Sequence, residues 1–269
     1  MTATGTLTTL RRYPVKSMLG EDTGSALLTV DGVEGDRTVA VVSTSTHHVA
    51  SAKHPKLWRG LLALGARWND GAPTVTFPGG EGVRVGDPGL DGMLSAWLEQ
   101  DVKVTTVRPE RATVDRPDPE AVLEAGEDAE VPYESVDIGL GSRGATFVDH
   151  SPVHLITTAT LGHIGVEAVR YRPNVVLDLP GTSPFAENAW VGREISIGTA
   201  VLRVVFPTPR CAVPTLAHGS LPRSPHAVRA LLDGNRVAVP GLGPRPCLGA
   251  YAQVVQGGRV AVGDHAALL

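Results

Sequence analysis

Short bursts of apolar, β-branched residues alternate with polar ones along most of the chain, and each burst ends at Gly, Pro or Asp. That is the pattern of half-buried strands joined by tight turns. In the first third it predicts strands over 6–13, 26–30, 38–43, 74–77 and 83–85, one short helix over 93–100 and a further strand over 102–107. Turn signals such as Val30-Asp31-Gly32 and Phe77-Pro78-Gly79-Gly80 separate them. Further on, 153–157 reads as a strand, 160–169 as a helix capped by Thr158 or Thr160, and 174–178 as a buried strand. The run 194–206 reads as two short strands about Gly198, and 250–256 with 259–262 flank Gly257-Gly258 in a hairpin-like arrangement. No fixed-period repeat and no doubly wound alternation is present. The expectation is a mainly β chain with short helices, α+β overall, built on a β-barrel.

Between residues 108 and 133 the pattern breaks. Prolines 109, 117, 119 and 132 alternate with eight acidic residues and almost no aliphatic periodicity, which reads as a solvated linker or a loop over a site. The chain therefore divides into 1–107, an acidic Pro-rich linker or loop over 108–133, and a second unit over 134–269. With 269 residues there is room for one large or two modest domains with a sizeable core.

Composition narrows the function. A net charge of −4, from 24 basic and 28 acidic residues, gives no overall attraction to nucleic acid or to a membrane surface. An anionic ligand must then be held by a local cluster. The N-terminus has neither a basic n-region nor an apolar h-region, and no window approaches a membrane span, so a cytoplasmic protein is expected. Two cysteines, Cys211 and Cys247, build neither a disulfide framework nor a zinc-finger spacing.

Four polar clusters sit among the strands. In Pro207-Thr208-Pro209-Arg210-Cys211-Ala212 a cysteine follows a strand exit, where it can face a cavity. The adjacent Arg210 favours its thiolate, the form that attacks electrophiles or binds a soft metal. Lys16 and Ser17, in Tyr13-Pro14-Val15-Lys16-Ser17, pair a cation with a hydroxyl at a turn. Lys53 and Lys56 flank Pro55 in a basic loop. Arg170-Tyr171-Arg172-Pro173-Asn174 places two guanidinium forks and an amide between a helix and a buried strand, suited to phosphate and a heterocycle edge, or to a salt-bridge hub.

Taken together these clusters resemble the MOSC family, named for the C-terminal domain of molybdenum cofactor sulfurase. The resemblance spans an N-terminal β-barrel region of about 6–107, with Tyr13-Pro14-Val15-Lys16-Ser17 and Gly35-Asp36-Arg37. It continues through Phe147-Val148-Asp149, His154-Leu155-Ile156-Thr157, Arg170 to Asn174, Pro184 to Trp190, Arg210-Cys211 and Val262-Gly263-Asp264. The two-part layout is similar to the branch containing the mitochondrial amidoxime reducing component and its bacterial relatives. It implies a MOSC β-barrel preceded by an N-terminal MOSC-type barrel region, and a molybdenum cofactor (Mo-molybdopterin) ligated by the Cys211 thiolate. Pyridoxal phosphate is not expected. Lys16, Ser17, Arg172 and Asn174 would hold the pyranopterin and its phosphate beside Arg210, with Lys53 where the family shows an arginine and Thr160 where it often shows a serine.

The implied activity is reduction of an N-hydroxylated small molecule by removal of its oxygen. No Cys-rich iron–sulfur segment is present, so electrons would come from a separate donor, a ferredoxin-like or small haem carrier with a flavin reductase. Lys53 keeps a charge but loses the arginine fork. Ala217 stands where the family carries an aspartate after the cysteine. A non-redox alternative uses the same residues: a sulfur carrier with a Cys211 persulfide, or a protein that binds and delivers the cofactor. A hydrolase or C–S lyase with Cys211 as nucleophile needs a base, and neither His218 nor His226 holds a diagnostic position.

Overall fold

The computed structural model describes residues 3–144 and 146–269. Seven strands close into a barrel in the order Val153–Thr157, Val175–Asp178, Thr4–Arg12, His265–Leu268, Glu194–Ile197, Ala200–Pro209 and Gly243–Gln256, the last pairing back onto the first. All pairs are antiparallel except Val153–Thr157 with Val175–Asp178. A parallel pair needs a crossover, and here the short helices Thr158–Ile164 and Ala168–Tyr171 supply it. The interior is filled by alternate residues of the staves: Leu7 and Leu10, Leu155, Leu177, Ile195 and Ile197, Leu202 and Val204, all fully buried.

The Thr4–Arg12 stave is the one the sequence does not advertise as part of this barrel. It comes from the opposite end of the chain, yet lies between Val175–Asp178 and His265–Leu268. A second tie crosses the same way: Gly258–Ala261 pairs with Ser25–Thr29. The expected hairpin around Gly257-Gly258 is therefore absent. The chain leaves the barrel at Gly257 and adds its next strand to the N-terminal sheet Ser25–Thr29 and Gly32–Val33.

Against one rim of the barrel lies a layer of short strands. Ala40–Ser43 pairs with Val102–Thr105, and Gly65–Asn69, Ala72–Thr76 and Gly82–Arg84 form a meander. Helix Leu90–Leu98 closes their core with Leu90, Leu94 and Leu98, packed with Met18, Val41, Leu61 and Leu64. The 108–133 segment is not a bare linker. Thr113–Pro117 pairs with Tyr133–Asp137, and Asp118 caps helix Pro119–Ala125 by accepting from the Glu120 and Ala121 amides. Val114, Val122 and Val131 are enough to anchor it, and a stretch this short shows no periodicity. The expected single helix over 160–169 is two, because Gly165 turns the chain through φ 66°. Its cap is Thr157, whose hydroxyl accepts from the Thr160 amide. No helix among the described residues is long and apolar enough to cross a membrane.

Removing the first stave opens two edges. A fragment of residues 134–269 is expected to lose cooperative urea unfolding, and co-expression with residues 1–107 is expected to restore it. A cooperative transition for the lone fragment at the full-length midpoint would show that closure by Thr4–Arg12 is dispensable.

Candidate functional site

Thr4–Arg12 ends at the rim where Val153–Thr157 and Val175–Asp178 begin, as the partners Leu10–Val175 and Leu155–Val175 require. Lys16 and Ser17, Asp149 and Arg172 lie just beyond those ends and converge. Ala200–Pro209 runs in the same direction as Val153–Thr157, and the chain that leaves it at Arg210 brings Cys211 to the same residues. The N-terminal layer adds Arg37, Ser51 and Lys53, and together they line a narrow cleft of about 70 Å³. Three of these residues, Ser17 (φ 65°), Arg37 (φ 49°) and Arg172 (φ 57°), hold left-handed backbone that non-glycine residues seldom adopt. Such strain persists where the surroundings fix it and clusters at functional sites. Ser17 repays it by accepting from the Ala52 amide at 3.1 Å, which ties the Lys53 loop to the cleft.

Charge is the cleft's main property. Lys16, Arg37, Lys53, Arg170, Arg172 and Arg210 line it with a single carboxylate, Asp149. Arg37 is neutralised by Asp36 and Arg170 by Glu167. Lys16 and Lys53 share Asp149, at 2.6 and 3.0 Å. Burial lowers the Lys16 ammonium to about 8 despite the Asp149 charge beside it. Burial alone would raise the Asp149 carboxyl, but the two lysines overcome it and hold it well below the ordinary range. Three positive charges remain without a carboxylate: one of the lysines, Arg172 and Arg210.

Arg172 is the least satisfied of these. Both its terminal nitrogens are buried without a hydrogen-bond partner among the described residues. Its guanidinium lies 4.3 Å from the centre of the Tyr13 ring, with Arg37 4.9 Å from the same ring. Burial, then repulsion from Arg37, lowers it to about 10. A buried cation in this state seeks an anion.

Arg210 has a different part. It donates to the carbonyls of Tyr171 (2.9 Å) and Leu248 (3.1 Å from Nε) and to Nε2 of His154. Burial, then the Arg210 charge, keeps His154 well below its ordinary value, so the ring is neutral and accepts. This approach depends on Gly249, where a Cβ would stand 2.4 Å from the Leu155 carbonyl oxygen and 2.7 Å from His154 Nε2. Arg210 thus braces the strand exit that presents Cys211.

Cys211 is a free, half-buried thiol, backed by Ala52, Leu62, Val213 and Leu216. It lines the cationic cleft and also an adjoining, larger cavity of about 490 Å³, the two sharing Lys53, Asp149, Arg210, Cys211 and Tyr251. Cys247 is buried in the barrel wall, and burial pushes its thiol up to about 11. Among the described residues no group of three or more His, Cys, Asp or Glu side chains could hold a metal ion.

Of the residues singled out from sequence, Lys16, Ser17, Lys53, Arg172, Arg210 and Cys211 come together in the cleft. Two do not. The Asn174 amide is engaged away from the cleft, accepting from the His154 amide at 3.1 Å and from Arg37, and donating to the Arg11 carbonyl. Thr160 lies in the first turn of the crossover helix Thr158–Ile164, donating to Glu187 at 2.8 Å and accepting from the Phe185 amide. Ala217, where an acid was expected, is exposed and lines neither cavity. Arg37, Asp149 and His154 lie in motifs noted from sequence without a role; Tyr251 joins them only through strand register.

Comparison with known proteins agrees with this layout. The chain matches the MOSC domain over residues 143–267 and the MOSC N-terminal beta barrel domain over residues 4–107. No curated protein matches it. Among solved structures it is similar to the YuaD protein from Bacillus subtilis, at 11% identity and a TM-score of 0.46, covering 100% of this chain and 97% of that one. It is also similar to YiiM from Geobacillus stearothermophilus, at 17% identity and a TM-score of 0.31, covering 61% and 75%.

The state of Lys16 has a measurable consequence. Its ammonium is lowered in the folded protein from the model-peptide 10.5 to about 8, so between those pH values the unfolded chain binds the extra proton and stability rises with pH. The stability difference between the parent and Lys16→Met is expected to shift toward the parent from pH 8 to 10.5, by a few kcal/mol. Urea unfolding across that range measures it, and a flat difference would contradict the burial.

Proposed function

The chain belongs to the MOSC family, carrying both the MOSC domain and its N-terminal beta barrel domain, and from that premise we propose that the cleft holds a molybdenum cofactor with the Cys211 thiolate at the metal. We propose further that the protein reduces N-hydroxylated small molecules. The observation that carries the reading is the buried, unpartnered Arg172 guanidinium facing the same cleft as Cys211. The residues present fit the group: a thiolate is a soft ligand suited to such a metal, and three cations lacking carboxylates suit a phosphate.

When bound, the cofactor supplies a centre that takes up an oxygen atom and exchanges two electrons. The chain's own residues do the rest. Arg172, Lys16 and Lys53 grip phosphate oxygens, and Arg37, fixed by Asp36 and Asn174, completes the cationic wall. Arg210 holds the strand exit rigid so that Cys211 keeps its direction. Reduction of N–OH to N–H with release of water consumes two electrons and two protons. Lys16 and Lys53, bridged by Asp149, hold protons beside the wall shared by both cavities. The electrons come from a separate carrier protein.

Molybdenum analysis of protein from a cofactor-producing host tests this. Near-stoichiometric metal is expected in the parent, with at least about a tenfold loss in Cys211→Ala and in Arg172→Gln, both folded by circular dichroism. Electron-driven reduction of an N-hydroxylated compound should vanish with Cys211→Ala. Molybdenum-free parent carrying a transferable sulfane sulfur on Cys211 would instead favour the sulfur carrier.

A further inference from the structure

The larger cavity is not used by the cofactor reading, and its chemistry differs from that of the cleft. At its inner end stand the polar groups shared with the cleft, Cys211, Lys53, Asp149 and Arg210. Outward its walls are mostly apolar, with Arg116 and Asp137 the charged groups among them. Phe206 and Tyr251 are cross-strand partners on the outside of the barrel, and the His150 ring lies stacked against both, at 4.8 and 5.6 Å. Two arms face each other across the opening. Ile138 and Leu140 continue the Tyr133–Asp137 strand, and Pro240 and Leu242 form the tip between Arg236–Val239 and Gly243–Gln256.

Both leucines are out of the packed core: Leu140 is 75% exposed and Leu242 38%. Leu140 is largely uncovered and Leu242 partly so, and both line this cavity. Beyond them a third cavity of about 320 Å³ shares Arg116, Val136 and Leu242 and adds Asp118, Glu134 and Arg245, so the outer mouth is charged. A passage with a polar inner end and mostly apolar walls behind that mouth matches a molecule with a polar head and an apolar body.

We infer that this cavity is the substrate site, and that it takes a small molecule with a polar N-hydroxylated head at Cys211 and an elongated apolar body clasped between Leu140 and Leu242. The inference rests on reading the Cys211 cleft as the reaction centre, but its test needs no turnover.

The probes are acetohydroxamic acid and octanohydroxamic acid, which share a head and differ by six methylenes. Their affinities are measured by calorimetry on protein from a cofactor-producing host. Each methylene buried is worth about fourfold in affinity, so octanohydroxamic acid is expected to bind at least about 100-fold more tightly. Leu140→Asp and Leu242→Asp alter exposed side chains outside the cleft and should leave the fold intact. Each is expected to cut that ratio about tenfold with the acetohydroxamic affinity unchanged. Equal affinities of the two probes, no binding of the longer probe at millimolar concentration, or a ratio that both substitutions leave intact overturns the assignment. Because the head is common, its contacts cancel from the ratio. Loss of molybdenum or turnover with the ratio intact overturns only the reductase reading, and a collapsed ratio in molybdenum-loaded protein overturns only the cavity.

Discussion

Closure of the barrel by Thr4–Arg12 is the constraint from which the site follows. A seven-stranded barrel of this kind is filled by its own side chains, here Leu7, Leu155, Leu177, Ile195 and Leu202, so it offers no internal binding space. Binding is pushed to the rim, where strand ends release the chain. Because the first stave runs straight into Tyr13–Ser17, the N-terminal cations are delivered by covalent continuity to the rim where Asp149 and Arg172 lie, and Cys211 reaches them through Arg210. The N-terminal layer then packs over that rim and contributes Arg37 and Lys53 from above. Without the stave, the pairing of Gly258–Ala261 with Ser25–Thr29 would be the strand tie left among the described residues between the two halves of the site.

The cleft is costly as it stands, and the cost is informative. Burying a guanidinium without a partner is unfavourable by several kcal/mol in principle, and Arg172 adds left-handed backbone. The Tyr13 ring offsets part of this through its π face, at roughly 1–2 kcal/mol for a desolvated contact. Asp36 and Asp149 offset the neighbouring charges but leave Arg172 alone. An anion that meets Arg172 and Lys16 together relieves both desolvation and repulsion. Binding and the stability of the rim are therefore linked.

Strands with clean alternation and firm turn signals were legible: Val153–Thr157 and the pair about Gly198 lie where the pattern puts them. Pairing was not, because register is a long-range property. Nothing local says that Gly258–Ala261 prefers Ser25–Thr29 to the strand just before it, since both choices satisfy the same alternation. The acidic 108–133 segment misled for a different reason. Its strand and capped helix are held by a few valines and by tertiary contact, which override a composition that reads as solvated. In the site, residue type identified the cations and the thiol but could not separate groups facing the cleft from groups holding it up. Asn174 and Thr160 carry the same chemistry as ligands would, yet their hydrogen bonds are spent on backbone, on Arg37 and on Glu187. Ala217 shows the converse: a departure that looks consequential in sequence falls at the surface.

The position of Cys211 explains why two such different spaces adjoin. Pro209 is the last residue of its stave, and Arg210 is pinned by three acceptors, so the next side chain is placed by the barrel and not by a mobile loop. Val213–Thr215 turns the chain at once, with the Thr215 hydroxyl donating to the Ala212 carbonyl at 2.7 Å, which leaves the thiol standing in the partition. The thiol borders both spaces, the cleft with its cations and the larger cavity with Phe206 and the two leucine arms, while Lys53, Asp149, Arg210 and Tyr251 also line both. Whatever occupies one space is therefore felt in the other through those four side chains as well as through the sulfur.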